Sequence, residues 1–510
     1  MALLILSSLV ISIFTFFIYI ILARRERFKL REKIGLSGPE PHWFLGNLKQ
    51  TAERKEKLGY DDANRWFNEL HEQYGETFGI YYGSQMNIVI SNEKDIKEVF
   101  IKNFSNFSDR SVPSIYEANQ LTASLLMNSY SSGWKHTRSA IAPIFSTGKM
   151  KAMQETINSK VDLFLDILRE KASSGQKWDI YDDFQGLTLD VIGKCAFAID
   201  SNCQRDRNDV FYHPVTVKIT INNFTYFHSS SPGTFHFLES TLQIHTTGRC
   251  RNSTCRRTVK CVGFRQDKAK FCSDYERRRG GEGSDSVDLL KLLLNREDDK
   301  SKPMTKQEVI ENCFAFLLAG YETTSTAMTY CSYLLSKYPN VQQKLYEEIM
   351  EAKENGGLTY DSIHNMKYLD CVYKETLRFY PPHFSFIRRL CREDITIRGQ
   401  FYPKGAIVVC LPHTVHRNPE NWDSPEEFHP ERFENWEEKS SSLKWIPFGV
   451  GPRYCVGMRF AEMEFKTTIV KLLDTFELKQ FEGEADLIPD CNGVIMRPND
   501  PVRLHLKPRN

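Results

Sequence analysis

Residues 1–22, MALLILSSLVISIFTFFIYIIL, carry no charged side chain. As a helix they rise about 33 Å, enough for a hydrocarbon core of about 30 Å. The strongly basic stretch 23–33 follows. Lys and Arg beside a span favour the cytoplasmic face. The expectation is one transmembrane anchor over 1–22, a basic and Pro/Gly linker over 23–47, and a globular body over 48–510 facing the cytosol. A cleaved secretory signal fits less well: the run is long, no basic residue precedes it, and no small-residue cleavage site follows. No later run is comparably apolar. Four Asn-x-Ser/Thr sequons start at Asn103, Asn106, Asn223 and Asn252. In a cytosolic domain they stay unmodified, so glycans on them would overturn the orientation.

Further along, alternation predicts a hairpin of 77–82 and 86–90 around Gly83-Ser84-Gln85. From Met150, apolar residues recur at 153, 157, 161, 164, 165 and 168, the three-and-four rhythm of an amphipathic helix. A second helical run covers 286–294. Thr305 with Glu308 has the capping-box spacing, and the helical pattern behind it reaches about Leu335. This helix is apolar on most sides from Cys313 to Ala319, so it should run through the core. Another helix is predicted over 364–379, ended by Pro381-Pro382, and a last one from near Gly457 to about Phe476. Short strand-like pieces lie at 395–397 and 406–410, and loops dominate 412–450. Helices outweigh strands, and the strands form small peripheral sheets.

Composition narrows the function classes. The 510 residues are 41% hydrophobic, which supplies a large core and excludes wholesale disorder. Against 67 Lys and Arg stand 65 Asp and Glu, a poor charge balance for a nucleic-acid partner. Thirteen cysteines, an odd number spread from Cys195 to Cys491, speak for a reducing compartment rather than a disulfide framework.

The strongest chemical signal is Phe448-Gly-Val-Gly451-Pro-Arg453-Tyr-Cys455-Val-Gly457, directly before the last helix. It presents one Cys on a Gly-rich loop at a helix start, where backbone N–H groups should lower the thiol pKa. A lone soft thiolate without a Cys-x-x-Cys partner suits one axial bond to haem iron better than tetrahedral zinc. The bland alternative is a buried core cysteine.

This motif resembles the haem-binding loop of the cytochrome P-450 family, the haem-thiolate monooxygenases, with features of its microsomal drug- and steroid-oxidising branch. The resemblance extends over about 38–225 and 280–508. It implies a mainly α fold with small β-sheets around one haem b, behind the single N-terminal transmembrane helix. It implies Cys455 as the axial iron ligand, with Phe448 in the same loop. Trp134, Arg138, Arg389 and Arg453 would hold the haem propionates. Glu375 and Arg378, three apart on a helix, would pair, and Arg432 in Pro430-Glu-Arg-Phe would join them to brace the Cys loop. In Ala319-Gly320-Tyr-Glu322-Thr323-Thr, Gly320 would open room for dioxygen, while Glu322 and Thr323 relay protons. The alternative there is a Thr hydroxyl bonded back to the preceding turn. His416, in His-Arg-Asn-Pro, is not assigned to iron, because the Cys motif already supplies the ligand. The loop 111–127 and His383, Phe384 and Ser385 are candidate substrate contacts.

The family pattern breaks between 226 and 272. Two amphipathic helices are expected there; instead Cys250, Cys255, Cys261 and Cys272 crowd among basic residues. Their spacings are poor for zinc, and a misread frame or exon boundary is the reading favoured.

The resemblance implies oxygen insertion from O2 into an apolar lipid, steroid or xenobiotic. Electrons would come from NADPH through a membrane-bound flavoprotein reductase, with a small haem carrier as a further partner. The location would be the endoplasmic reticulum membrane, single-pass. The alternatives are a reductase-independent haem-thiolate isomerase or dehydratase, or a non-catalytic haem binder if 226–272 is genuine.

Overall fold

The computed structural model describes residues 2–110, 124–126, 129–131, 133–175, 177–209, 276, 289–294, 304–436, 443–492 and 494–509. The segment 226–272, most of the 111–127 loop, residues 286–288 and the sequons at 223 and 252 lie outside these.

Helix α1 (Ala2–Lys33) is a single rod, long and apolar enough to cross a membrane. Ile5, Leu6, Ile11 and Phe14 are exposed along it. The basic stretch 23–33 continues the same helix. Arg, Glu and Lys propagate a helix well, and the first breaker is Gly35 at φ 72°. This end docks on the body: the Arg31 backbone N–H donates to Tyr81 Oη at 3.1 Å, and Arg31 Nη1 donates to the Pro39 carbonyl at 2.6 Å. Gly38, Pro39 and Pro41 then carry the chain away.

Helices α2 (Leu48–Leu58) and α3 (Ala63–Tyr74) precede the hairpin β1 (Thr77–Tyr82) and β2 (Gln85–Ile90), which fall where the alternation places them. Helix α4 (Glu93–Lys97) follows, then α5 (Trp134–Ile141), α6 (Thr147–Ser174), α7 (Ile180–Phe197) and the short α8 (Leu289–Leu294). In α6 the residues of the three-and-four stripe, Met150 to Leu168, are buried.

The central helix α9 (Lys306–Lys337) starts at a complete capping box: the Glu308 N–H donates to Thr305 Oγ1 at 3.2 Å, and the Thr305 N–H donates to Glu308 Oε2 at 2.7 Å. Its longest fully enclosed run is Thr324 to Leu335, further along than the sequence pattern indicates. Phe316, Leu318 and Ala319 are only partly buried because they border a cavity. The Thr188 hydroxyl of α7 donates to the Tyr321 carbonyl at 3.1 Å, tying α7 to α9.

Beyond α10 (Pro339–Glu354), the helix predicted over 364–379 is two: α11 (Tyr360–Asn365) and α12 (Lys367–Phe379). Met366 stands between them in extended conformation, ψ 116°. Strands β3 (Ile387–Leu390), β4 (Ile395–Ile397), β5 (Gln400–Tyr402) and β6 (Ile407–Cys410) lead to α13 (Pro412–Arg417). Helix α14 (Met458–Thr475) follows the Cys loop with Gly457 at its cap, then β7 (Phe476–Gln480), β8 (Pro489–Asn492), β9 (Ile495–Pro498) and β10 (Leu504–Pro508).

The largest sheet has the order β1-β2-β6-β3. Its one parallel pair, β2 with β6, matches Ile88 to Val408, and antiparallel β3 sets Arg389 opposite Val408. The other three sheets are two-stranded. The main core lies among α6, α7, α9, α12 and α14; a second cluster lies under the large sheet. Mainly helical with small sheets is therefore the architecture.

Candidate active site

A cavity of about 800 Å³ lies against α9, with Cys455 on its wall. The loop that presents Cys455 is built by backbone bonds. Gly449 N–H donates to the Ile446 carbonyl at 3.0 Å, Tyr454 N–H to Gly451 at 2.9 Å, and Cys455 N–H to Phe448 at 2.8 Å. Gly451 has φ +66°, and a Cβ there would sit 2.1 Å from the Phe100 carbonyl oxygen, so only glycine fits. Cys455 is exposed to the cavity, yet deep in the protein mass.

The thiol environment differs from the sequence expectation. Burial is the largest effect and pushes the Cys455 thiol above its ordinary range; the Gly457 N–H, Arg138 and Arg110 only partly offset it. A helix start alone therefore does not make the thiolate. A directly coordinated cation does, because a metal-bound thiol is deprotonated outright.

Arginines collect around the same end. Arg453 lies 4.6 Å from the centre of the Trp134 ring. Arg138, one turn beyond Trp134 on α5, donates to the Tyr454 carbonyl at 2.8 Å. Arg389 comes from β3 and is buried; burial and the nearby Arg453 push its guanidinium down to about 9. Arg453 is pushed down to about 10, chiefly by burial. Arg110 completes the group, and the sequence reading missed it. Its Nη2 donates to the Arg453 carbonyl at 3.3 Å, and its guanidinium stands 4.0 Å over the Phe386 ring. Burial, then Arg389 and Arg453, hold Arg110 well below its ordinary value. No spacing in the chain marks Arg110; it is one arginine in a loop, and only the fold brings it to the others.

Like charges in a buried site require anions. Among the described residues, Asp109 is 4.0 Å from Arg453, and the Nε atoms of Arg110 and Arg389 have no hydrogen-bond partner. A planar dicarboxylate with a thiolate-seeking metal, which is a haem, fits this donor set: carboxylates toward the arginines, iron toward Cys455.

Across the cavity, α9 contributes Gly320, Glu322 and Thr323. Gly320 lines the cavity and also sits where two helices cross. A Cβ there would meet Ile192 Cδ1 at 3.2 Å, so the missing side chain lets α7 and α9 approach. Gly320→Ala is expected to cost about 1–3 kcal/mol of stability by overpacking, read as a lowered urea midpoint, with haem content retained. A variant as stable as the parent would exclude this packing role. Glu322 is enclosed; burial raises its carboxyl pKa and Arg497 of β9 opposes that. Thr323 Oγ1 donates to the Ala319 carbonyl at 2.6 Å, the back-bonded geometry. Tyr181 of α7 lines the cavity too, its pKa raised by burial and then by Glu322.

Glu375, Arg378 and Arg432 meet away from the cavity. Arg378 Nε and Nη2 donate to Glu375 Oε2 and Oε1 at 2.6 and 2.9 Å. Arg432 Nε and the His429 N–H donate to Glu375 Oε1 at 3.1 and 2.8 Å. His383 and Phe386 flank the cavity. Of 111–127, only Ser124, Leu125 and Leu126 are described, and the last two line the cavity.

A mainly helical body in which, among the described residues, one cysteine faces the cavity beside an arginine cradle defines a haem-thiolate oxygenase. Comparison with known proteins agrees: residues 36–506 match the family model described as Cytochrome P450, and the chain belongs to that family. It is 32% identical over 489 residues to cytochrome P450 3A29 of Sus scrofa, covering 94% of this chain and 93% of that protein. To cytochrome P450 3A12 of Canis lupus familiaris it is 33% identical over 487 residues, 94% and 92% of the two chains. To cytochrome P450 3A16 of Mus musculus the identity is 30% over 497 residues. The chain is thus a monooxygenase that uses haem b, O2 and NADPH-derived electrons.

Proposed function

We propose that this protein inserts one oxygen atom from O2 into an apolar lipid, steroid or xenobiotic, taking electrons from an NADPH-dependent flavoprotein reductase. A small haem carrier is proposed as a second electron donor. The observation that carries the reading is Cys455 on the wall of a cavity whose same end holds four buried or half-buried arginines. Residues 48–510 form the catalytic body, and 1–22 the anchor. The basic flank favours a cytosolic body on the endoplasmic reticulum membrane.

Bound here, the haem supplies dioxygen binding and activation for oxygen transfer. Cys455 would hold its iron, supplying an electron-rich sulfur. Arg110, Arg138, Arg389 and Arg453 would hold the propionates, with Trp134 packed beneath Arg453. Phe448 lines the same cavity, and its carbonyl accepts the Cys455 N–H. Glu322 retains a proton more readily than a solvated carboxylate, because burial outweighs Arg497. It is therefore suited to deliver one. The Thr323 hydroxyl must release the Ala319 carbonyl to pass a proton onward. Ala315, Ala319 and Phe316 present an apolar surface that excludes water from the same space.

The reduced protein with carbon monoxide should show the strongly red-shifted Soret band of a thiolate ligand. Added reductase should then couple NADPH consumption to product. Turnover without external electrons would replace this reading with an isomerase or dehydratase. Thr323→Ala should keep the Soret band and keep consuming NADPH, but divert it to hydrogen peroxide. An unchanged product yield per NADPH would remove Thr323 from the proton path.

A further inference from the structure

We propose that His416 is a positioning residue that ties the Glu375–Arg378 ion pair to the stem of the Cys455 loop. This rests on Cys455 being the haem ligand. His416 lies in α13 with no exposed surface. Its carbonyl accepts from Arg378 Nη1 at 2.8 Å. Its imidazole Nε2 accepts the Ile446 backbone N–H at 2.8 Å. Four consecutive hydrogen bonds thus run from the ion pair to the ligand. They are Arg378 to His416, Ile446 to His416, Gly449 to Ile446 at 3.0 Å, and Cys455 to Phe448 at 2.8 Å. Next to this tie, the Trp445 indole N–H donates to the Lys374 carbonyl of α12 at 3.0 Å. Adjacent residues of the stem are therefore tied to α12, Trp445 directly through its indole and Ile446 by way of His416 of α13.

The chemistry requires a neutral ring. Accepting from Ile446 leaves Nε2 unprotonated, so the proton sits on Nδ1. Burial, with Arg378 and Arg417 nearby, holds the imidazolium form well out of reach; the Arg378 and Leu377 carbonyls pull weakly the other way. A ring that cannot charge is a constant acceptor. The sequence singles out His416 as a histidine that does not bind iron, and the structure gives it this other use.

The test compares three variants as purified, haem-containing proteins. Glutamine can place an oxygen where Nε2 stands. Asparagine is too short to reach Ile446, and leucine has no acceptor. Two quantities are read: hydrogen exchange at the Ile446 amide, and the share of haem giving the thiolate-type Soret band with carbon monoxide. In His416→Leu and His416→Asn, exchange should rise at least about tenfold, since an unpaired buried N–H destabilises the closed form. The thiolate share should fall several-fold. His416→Gln should hold both near the wild-type values.

Unchanged exchange in the Leu variant overturns the proposal. So does faster exchange with an undiminished thiolate share, because the tie would then not reach the sulfur. Should the Leu variant not fold, the ranking of Gln above Asn decides, and equality of the two refutes it. A wild-type protein without the red-shifted band would remove the ligand assignment and this inference with it. Loss confined to the variants bears on His416 alone.

Discussion

Replacing Cys455 with alanine is expected to abolish the red-shifted Soret band and reduce NADPH-coupled product formation to the level of the enzyme-free control. The fold should survive, because the side chain borders the cavity and contacts the Gly457 N–H rather than the core. Far-ultraviolet circular dichroism and the urea midpoint should therefore stay near the parent values. Haem should still be taken up in part, since the arginine cradle is untouched. The remaining band should be that of a nitrogen, oxygen or open ligand site. Among the described residues, Cys195, Cys203, Cys313, Cys331, Cys371, Cys391, Cys410 and Cys491 are all buried, so none can substitute. A fully red-shifted band in Cys455→Ala would place the ligand elsewhere and end the assignment.

Arg378→Leu is expected to cost about 3–5 kcal/mol, the penalty for leaving a buried charge without its partner. All five guanidinium donors are used: two on Glu375, and one each on the carbonyls of His416, Pro425 and Glu427. Both partners have no exposed side-chain surface. Leucine would leave the Glu375 carboxylate with only Arg432 and the His429 N–H, and take a donor from three carbonyls, of which Pro425 keeps Arg417 and Glu427 keeps Arg432. Since domain stabilities are of order 5–15 kcal/mol, such a loss removes a large share of the margin, and soluble yield should fall several-fold. Arg378→Lys should rescue little, because an ammonium cannot span this fork of acceptors. The measurements are soluble yield, haem retention and the urea midpoint. A midpoint within about 0.5 kcal/mol of the parent for Arg378→Leu would show that the pair is not a brace.

Several of these residues were legible because their meaning is local. The Cys motif reads from the glycines that let a loop turn tightly, and Gly451 does press against Phe100. Glu375 and Arg378 read from an i,i+3 spacing, and the pair forms with both bonds made. Thr305 with Glu308 closes as a capping box because both partners lie within four residues. Gly320 stands out in the sequence from its place in an apolar helix, but its close neighbour Ile192, 128 positions away in the chain, does not. That the apolar helix continues through 23–33 is not marked by the charge there, since charge does not break a helix. Arg110 and the role of His416 left no mark at all. Each depends on what stands opposite it: Arg453 and Phe386 for one, Ile446 and Arg378 for the other.

Alone, the amino-acid order determined the membrane-length apolar segment, the helical majority, the thiol at 455 and the paired charges at 375 and 378. These are set by composition, periodicity and short spacings, which a chain carries before it folds. Tertiary structure decided which arginines gather, that burial at Cys455 outweighs the lowering by the helix start, and how α13 reaches the Cys loop. Those outcomes depend on burial and on contacts between distant segments, where the low polarity of the interior makes each unpaired charge or N–H count for several times its worth in water.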